Sequence, residues 1–324
     1  MLLLGIDGGQ TSTKACLYDH ENNTCLFACG PSIDHMLTFN GQVKTKQAIQ
    51  QSLQSLLVQA RLIRKVDMAF VSISGVHKEH EELIKSWIAE CIQVDAFMIE
   101  GDVKANLAGA SNGNNDGVLI IAGGGSIGYY FDERQEFVAG GYGHILGDEG
   151  SAYWIGLQAI KAGIRDSEAR GPLTVLRKQT LDYFGEESFW GIKKRIHADK
   201  IQRSDIAQLS LLVEQTAAKG DEAAQSILQQ AGEELGGLAI SVLQQARACD
   251  PALKLDNVYM TGGVFHSERV VNSMQAAIHR YDAAVRISRP QFPPVVGAVI
   301  LAAQALQVSM DMAVVKKALQ GEQI

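Results

Sequence analysis

The chain has 324 residues, 46% of them hydrophobic and 20% charged, with a formal net charge of −7. That length suggests about two domains, each able to bury a core. The acidic balance argues against a nucleic-acid partner, which wants a basic face. A small anion is still allowed, because backbone N–H groups and helix N-termini bind anions without net positive charge.

The five cysteines, Cys16, Cys25, Cys29, Cys91 and Cys249, form neither a CxxC pair nor a Cys/His cluster at zinc spacing. They read as reduced thiols. With Met1-Leu2-Leu3-Leu4 too short for a secretory leader, a cytoplasmic location is expected. No apolar stretch reaches the ~18 residues of a membrane span. The longest, 295–306, contains Gly297 and Gln304 and reads as a buried helix.

The first third reads β-β-β-α-β-α-β-α. Strands are expected at 2–7 and 13–18 around a glycine turn, and at 24–28 after Glu21-Asn22-Asn23. Ile49, Leu53, Leu56, Leu57 and Ala60 recur at helical spacing and predict a helix over 47–63. A strand at 67–72, a helix at 79–89 and a strand at 97–100 follow, and Asp102 opens a short helix. The polar stretch Ser111-Asn112-Gly113-Asn114-Asn115 is the best domain boundary.

The second half restarts the theme. Strands are expected at 117–121, 127–131 and 137–139, then helices at 149–162, 172–184, 201–217 and 222–246. A strand at 257–261, a helix at 268–278 and a strand at 285–287 precede a terminal helix opened by Pro293-Pro294. The expectation is an α/β fold in which one β-β-β-α-β-α-β unit occurs twice, each with a mixed sheet, the second copy carrying helical insertions. An N-terminal lobe would span 1–113, with the helix 295–324 packing back on it, and a C-terminal lobe 114–294. A cleft between two such lobes is the natural ligand site.

The segment Gly5-Ile6-Asp7-Gly8-Gly9-Gln10-Thr11-Ser12-Thr13-Lys14 is neither GxxxxGK[ST] nor GxGxxG. A strand delivers Asp7 and glycines fold the chain back into a second strand. Gly8 and Gly9 would offer backbone N–H groups to phosphate oxygens, with hydroxyls of Thr11, Ser12 and Thr13 as further donors. Asp7 would repel phosphate directly; a magnesium ion held through water resolves the conflict. An ordinary glycine hairpin with an Asp at its edge would look the same. Gly123-Gly124-Gly125-Ser126 sits at the equivalent place in the second half, so the pair suggests two jaws on a polyphosphate, as a nucleotide-dependent kinase needs. Thr261-Gly262-Gly263-Val264 follows a strand; glycines there would let a flat adenine lie against backbone, as would a plain strand-to-helix loop.

Asp102 follows a strand and opens a helix. It reads as a helix N-cap, as a general base facing the cleft, or as both. Most specific is the run from Gly140 to Gly156, with Gly140, Gly141, Gly143 and Gly147 ahead of Asp148 and Ser151, two helix-start residues. Such a loop, with Asp148 as acceptor, suits a polyhydroxylated ligand; His144 reads as a structural hydrogen-bonder.

Together these segments resemble the actin/hexokinase/Hsp70 ATPase superfamily, and within it the BadF/BadG/BcrA/BcrD-type group that includes N-acetylglucosamine kinases. Residues 7–14 resemble its first phosphate motif, 123–126 the second and 261–264 the adenosine motif. Residues 141–154 are similar to the GGWGxxxGDEGSAYWI signature, and Pro294-Val295-Val296-Gly297-Ala298 to the start of the C-terminal helix. The resemblance implies a two-domain actin-like ATPase (ribonuclease-H-like) fold and transfer of phosphate from ATP-Mg²⁺ to the 6-hydroxyl of an amino sugar: N-acetylglucosamine, or glucosamine or N-acetylmuramic acid. By position it makes Asp102 the general base and assigns Gly8 to Lys14, Gly124, Gly125, Ser126, Gly262 and Gly263 to ATP. Asp34, His35, Gly143 and Asp148 fall to the sugar. A homodimer is common for the architecture. Asp34 stands where the group has Asn, and Gly124 and Ile127 replace Thr and Asn of its GTGSN, changes that bear on which sugar is taken. Two other readings are an ATPase activator of a radical dehydratase or reductase, disfavoured by the lack of suitably placed cysteines, and a non-catalytic sugar sensor, disfavoured by the presence of Asp102 and the absence of a DNA-binding segment.

Overall fold

A β-branched and apolar run followed by a glycine turn and a second such run gives the antiparallel pair β1 (Leu2–Gly8) and β2 (Thr13–Asp19), and β3 (Thr24–Gly30) extends it. On the other side of β1, β4 (Val66–Ile73) and β5 (Val94–Glu100) run parallel. The sheet order is β3-β2-β1-β4-β5. The structure, a computed structural model, describes residues 1–9, 11–34, 36, 40–61, 65–132 and 134–321.

The chain divides into two compact units, Met1–Asn115 with Pro290–Ile324, and Asp116–Arg289. In the first, α1 (Gly41–Ala60) and α2 (Glu81–Ala89) bury Ile49, Leu53, Leu56, Ile84 and Ile88 against Leu4, Ile6, Val71 and Ile73 of the sheet. Apolar area withdrawn from water on this scale is the main force holding the unit. Helix α3 (Asp102–Ser111) follows β5.

The second unit repeats the plan. β6 (Gly117–Ala122), β7 (Ser126–Phe131) and β8 (Glu136–Gly140) form the antiparallel part, and β9 (Asn257–Thr261) and β10 (Arg286–Ser288) add parallel strands in the order β10-β9-β6-β7-β8. Between β8 and β9 come α4 (Gly143–Leu146), α5 (Ala152–Ser167), α6 (Leu176–Phe184), α7 (Phe189–His197), α8 (Arg203–Ala218) and α9 (Glu222–Cys249); α10 (Glu268–Tyr281) joins β9 to β10. Helix α9 packs on β6, β7 and β8, and α5 packs on α8.

Helix positions depart from expectation in five places. α1 starts at Gly41 rather than 47 and stops at Ala60, where Arg61 turns left-handed at φ 56°; residues 62 and 63 of the expected helix lie outside the described residues. α5 starts at Ala152, because Ser151 Oγ accepts the Trp154 N–H at 3.2 Å. Residues 172–175 are not part of a helix: Asp221 binds the Thr174 hydroxyl and the Val175 N–H, both at 2.8 Å, which holds the irregular approach to α6. α7 was not anticipated, since Lys193, Lys194 and Arg195 mask its apolar side; Phe189 and Ile192 nonetheless join a local core with Ile160 and Leu209. The single terminal helix expected over 295–324 is two helices, α11 (Pro294–Ala305) and α12 (Met312–Gln320). They are separated by Gln307 at φ 56° and by Asp311, which caps the Ala313 N–H at 2.9 Å. Both belong to the first unit: α11 packs on α3, β1 and β4, and α12 on β3. Among the described residues no helix is long and apolar enough to cross a membrane.

Candidate active site

In the first unit β1, β4 and β5 are parallel, so their carboxyl ends lie on one edge of the sheet, the usual place for ligands in such folds. β1 ends at Asp7-Gly8, with Asp7 opposite Ser72 of β4 and opposite Lys14 of β2. β4 runs into Ser74, whose N–H donates to the Gly8 carbonyl at 3.1 Å. β5 leads through Gly101 to Asp102. The N-cap of α3 is Gly101, and no side chain caps the helix. The capping role open to Asp102 in the sequence therefore does not exist: as the first helical residue it accepts a hydrogen bond from the Ser74 hydroxyl.

Burial pushes the Asp102 carboxyl above the ordinary range, against the Ser74 hydrogen bond. Asp7 is pushed up to about 7, first by burial and then by the charge of Asp102, with Lys14 opposing. Two desolvated carboxylates thus share one sheet edge beside one lysine.

The first turn corrects one expectation. The Gly9 N–H is spent inside the hairpin, donating to the Ser12 carbonyl at 3.1 Å, and the Gly9 carbonyl accepts the Ile33 N–H at 3.1 Å. Gly9 therefore shapes the turn and ties residues 31–34 to it rather than presenting its N–H outward. Gln10 lies outside the described residues. Thr13 is buried in β2 with its hydroxyl unpartnered. Next to Ile33, Asp34 pairs with Lys44 of α1 at 3.0 Å, and its carbonyl accepts the Thr45 hydroxyl. His35 lies outside the described residues.

In the second unit the turn Gly123–Ser126 is wrapped by the loop that follows β8. The Gly141 N–H donates to the Ser126 carbonyl at 3.0 Å, the Ala152 N–H to the Gly123 carbonyl at 2.8 Å, and the Ser126 hydroxyl to the Glu149 carbonyl at 2.7 Å. Asp148 is 3% exposed and adopts φ 62°, so it is not a helix-start residue. One of its oxygens accepts the Ser126 N–H at 3.2 Å and the other the Arg203 guanidinium at 2.7 Å. The same Arg203 nitrogen donates to the Gly124 carbonyl at 2.9 Å. A buried carboxylate needs such partners, and here they lock the turn. Gly143 opens α4 at φ 81°, and His144 packs edge-on against Tyr153, a ring contact in place of the hydrogen bond expected of it.

The third glycine segment meets the second. Gly262 has φ 110°, and a Cβ there would sit 2.2 Å from the Ala122 carbonyl, so only glycine fits. Gly263 faces open space. A cavity of about 400 Å³ opens beside it, lined by Gly123, Gly124, Ile155, Leu211, Gly263 and Val264 among others. Glycine turns at one end and an apolar wall beyond suit a phosphate-bearing, flat-ringed ligand.

Three participants escaped the sequence reading: Ser74, Arg203 and the cavity face of α8. Ser74 carried a signal, since Ser72-Ile73-Ser74-Gly75 ends a strand in the way Asp7 does. Arg203 did not, because nothing in Gln202-Arg203-Ser204-Asp205 links it to a turn 79 residues away.

The chain matches the BadF/BadG/BcrA/BcrD ATPase family over residues 4–302. It is 29% identical over 242 residues to the N-acetylmuramic acid/N-acetylglucosamine kinase of Clostridium acetobutylicum, covering 72% of this chain and 76% of the relative. It is 28% identical over 315 residues to the N-acetyl-D-glucosamine kinase of Dictyostelium discoideum, covering 93% and 97%. A solved structure from Chromobacterium violaceum, provisionally named N-acetylglucosamine kinase, superposes with a TM-score of 0.70 at 25% identity, covering 93% of this chain and 98% of that one. With a match that spans both repeated sheets, this chain belongs to the BadF/BadG/BcrA/BcrD ATPase family and has its two-unit, actin-like α/β fold.

Proposed function

We propose that the protein transfers phosphate from ATP to the 6-hydroxyl of an amino sugar, N-acetylglucosamine or a close relative such as glucosamine or N-acetylmuramic acid. The single observation that carries the reading is the Asp102 carboxyl beside Asp7 on one sheet edge, both raised by burial. A base works best with a pKa near the operating pH, and burial moves Asp102 toward it. Ser74 orients the carboxylate through its hydroxyl. Asp102 accepts the sugar hydroxyl proton as that oxygen attacks the terminal phosphorus of ATP, and ADP departs; positioning and charge neutralisation supply most of the rate.

The unit 2 cavity, with the second and third glycine turns on its wall, supports binding of the nucleotide. Gly124, Gly125, Ser126, Gly262 and Gly263 are assigned to it, and Gly8, Gln10, Thr11, Ser12, Thr13 and Lys14 to its phosphates. Gly9 contributes through the shape of the hairpin. Asp34, His35 and the loop carrying Gly143 and Asp148 are assigned to the sugar. Asp34 accepts from Lys44 at 3.0 Å, and as a carboxylate it offers a sugar an acceptor for hydroxyl or amine donors.

Magnesium fits the residues present. Asp7 is a desolvated carboxylate next to another, which a cation would relieve. Among the described residues no group of three or more His, Cys, Asp or Glu could hold a metal alone, so an ion that shares its ligands with phosphates and water is the suitable kind. Asp7 would hold it, through water, and when bound it neutralises phosphate charge. A cytoplasmic location, which rests on the cysteine pattern, and a homodimer, which rests on the resemblance to sugar kinases, complete the reading.

A coupled ADP-release screen over N-acetylglucosamine, glucosamine, N-acetylmuramic acid, N-acetylmannosamine and glucose tests the proposal. Sugar-dependent release with one of the amino sugars is expected. Release that no amino sugar raises above the sugar-free rate would overturn it.

A further inference from the structure

The unit Asp116–Arg289 has a second concavity, which shares no lining residue with the cavity beside Gly263. Helix α5 gives Ile155 to that cavity and, further along, Gln158, Lys161, Ala162 and Arg165 to a groove of about 330 Å³. Residues at this spacing lie on one helix face. The first turns of α9 supply the other wall, with Glu222, Ala223 and Ile227. Ile227 is buried, and the single methyl groups of Ala162 and Ala223 leave the groove its depth. Its volume is that of a small-ligand pocket.

The charged heads of this groove are unspent and open to solvent. Lys161, Arg165 and Glu222 are exposed, and among the described residues none of their side chains makes a hydrogen bond or an ion pair. Two cations four residues apart on a helix repel each other. The helix dipole favours Arg165, in the last turn of α5, but falls off within that turn and does not account for Lys161. The loop after α5 presses on the base of Arg165: a Cβ on Gly171 would lie 3.0 Å from the Arg165 Cβ. Two bases from α5 and an acid from α9 thus line one groove without meeting within the 4.0 Å of an ion pair. That arrangement suits a guest with an anion toward α5 and a cation toward α9. A phosphate monoester is dianionic near pH 7, takes the Arg165 guanidinium through two N–H donors and Lys161 as a point charge. A protonated amine suits Glu222, whose carboxylate only accepts.

We propose that the groove between α5 and the start of α9 binds a small phosphate monoester that carries an amine, with the phosphate on Lys161 and Arg165 and the ammonium group on Glu222. The choice of an amino sugar as the carrier of both groups rests on the proposed function. Calorimetric titration of the full-length protein tests the site, with ADP and N-acetylglucosamine in excess so that the proposed active site is filled. The probes are glucosamine 6-phosphate, N-acetylglucosamine 6-phosphate, which lacks the ammonium group, and inorganic phosphate. The wild type is expected to take up one equivalent of glucosamine 6-phosphate and to bind N-acetylglucosamine 6-phosphate about threefold more weakly, the worth of an exposed ion pair. The double variant Lys161→Gln/Arg165→Gln should bind glucosamine 6-phosphate at least about tenfold more weakly. Glu222→Gln should bring the two esters to equal affinity. Both variants should keep the wild-type unfolding temperature, since the three side chains are exposed and unpartnered.

No uptake of glucosamine 6-phosphate by the wild type would overturn the proposal, with no variant needed. So would inorganic phosphate binding as tightly as the ester, which would make the groove a bare anion site, equal affinity of the wild type for the two esters, or an unchanged affinity in the double variant. Failure of the kinase reading looks different: glucosamine 6-phosphate uptake that depends on Lys161 and Arg165, with no sugar-dependent ADP release.

Discussion

Asp7 shows how function and stability oppose each other at one residue. Its carboxyl is pushed up to about 7 by burial and by Asp102. The folded protein therefore holds a proton on Asp7 at pH values where the unfolded chain has lost it. Stability contributed by this group is present at low pH and declines as pH rises from about 4 to about 7. Asn keeps the shape and removes the titration. Without divalent cation or nucleotide, Asp7→Asn should match the wild type near pH 4 and exceed it above pH 7, by about 4 kcal/mol. Thermal unfolding across that range checks it; a gap of the same size at both ends would contradict the linkage. Arg203 works in the opposite sense. It is the cationic partner of the buried Asp148 and holds the Gly124 carbonyl. Arg203→Ala should loosen the second turn and raise the KM for ATP about tenfold, the loss of one charge-assisted hydrogen bond, with a smaller change in the KM for sugar. Steady-state kinetics with each substrate varied separate the two.

At the scale of elements, α3 matters because it starts at Asp102. Its position is set by α11, which approaches so closely that a Cβ on Gly297 would lie 1.9 Å from the Ala105 carbonyl. Gly297→Ala should force the helices apart, cost about 1–3 kcal/mol as overpacking does, and lower kcat by moving Asp102. Unfolding and turnover measured on the same preparation test this; unchanged values of both would show that α11 does not set the base. The close approach was half legible. Pro293-Pro294 and the apolar run announced a buried helix, but Gly297 names no partner until α3 lies beside it. Strands were legible because alternating and β-branched runs between glycine turns admit few other structures. Helix limits were not, wherever a distant side chain decided them: Asp221 holds residues 172–175 out of α6, and a surface of two lysines and an arginine hid α7.

At the scale of the whole chain, the twofold use of one topology was visible as a pattern of glycine turns. It is realised as sheet orders β3-β2-β1-β4-β5 and β8-β7-β6-β9-β10, the second being the first repeated. The first copy carries the carboxylates and the second the nucleotide-sized cavity. The sequence named Asp7, Asp102 and all three glycine segments, because each ends a strand and strand ends are where such folds place chemistry. It missed Arg203, because a helix start that meets a turn from another part of the chain has no local signature. It also misread Asp148, whose sequence neighbours look like a helix start while its carboxylate points into the second turn.

The central claim is that Asp102 takes the proton from a sugar hydroxyl during phosphoryl transfer. Its most direct test is sugar-dependent ADP release by Asp102→Asn, alongside ADP binding by the same preparation. A general base contributes about 10²–10⁴-fold, so release should fall at least about 100-fold while the ADP affinity stays within about threefold of wild type. Near-normal release by a folded, ADP-binding Asp102→Asn protein would contradict the account.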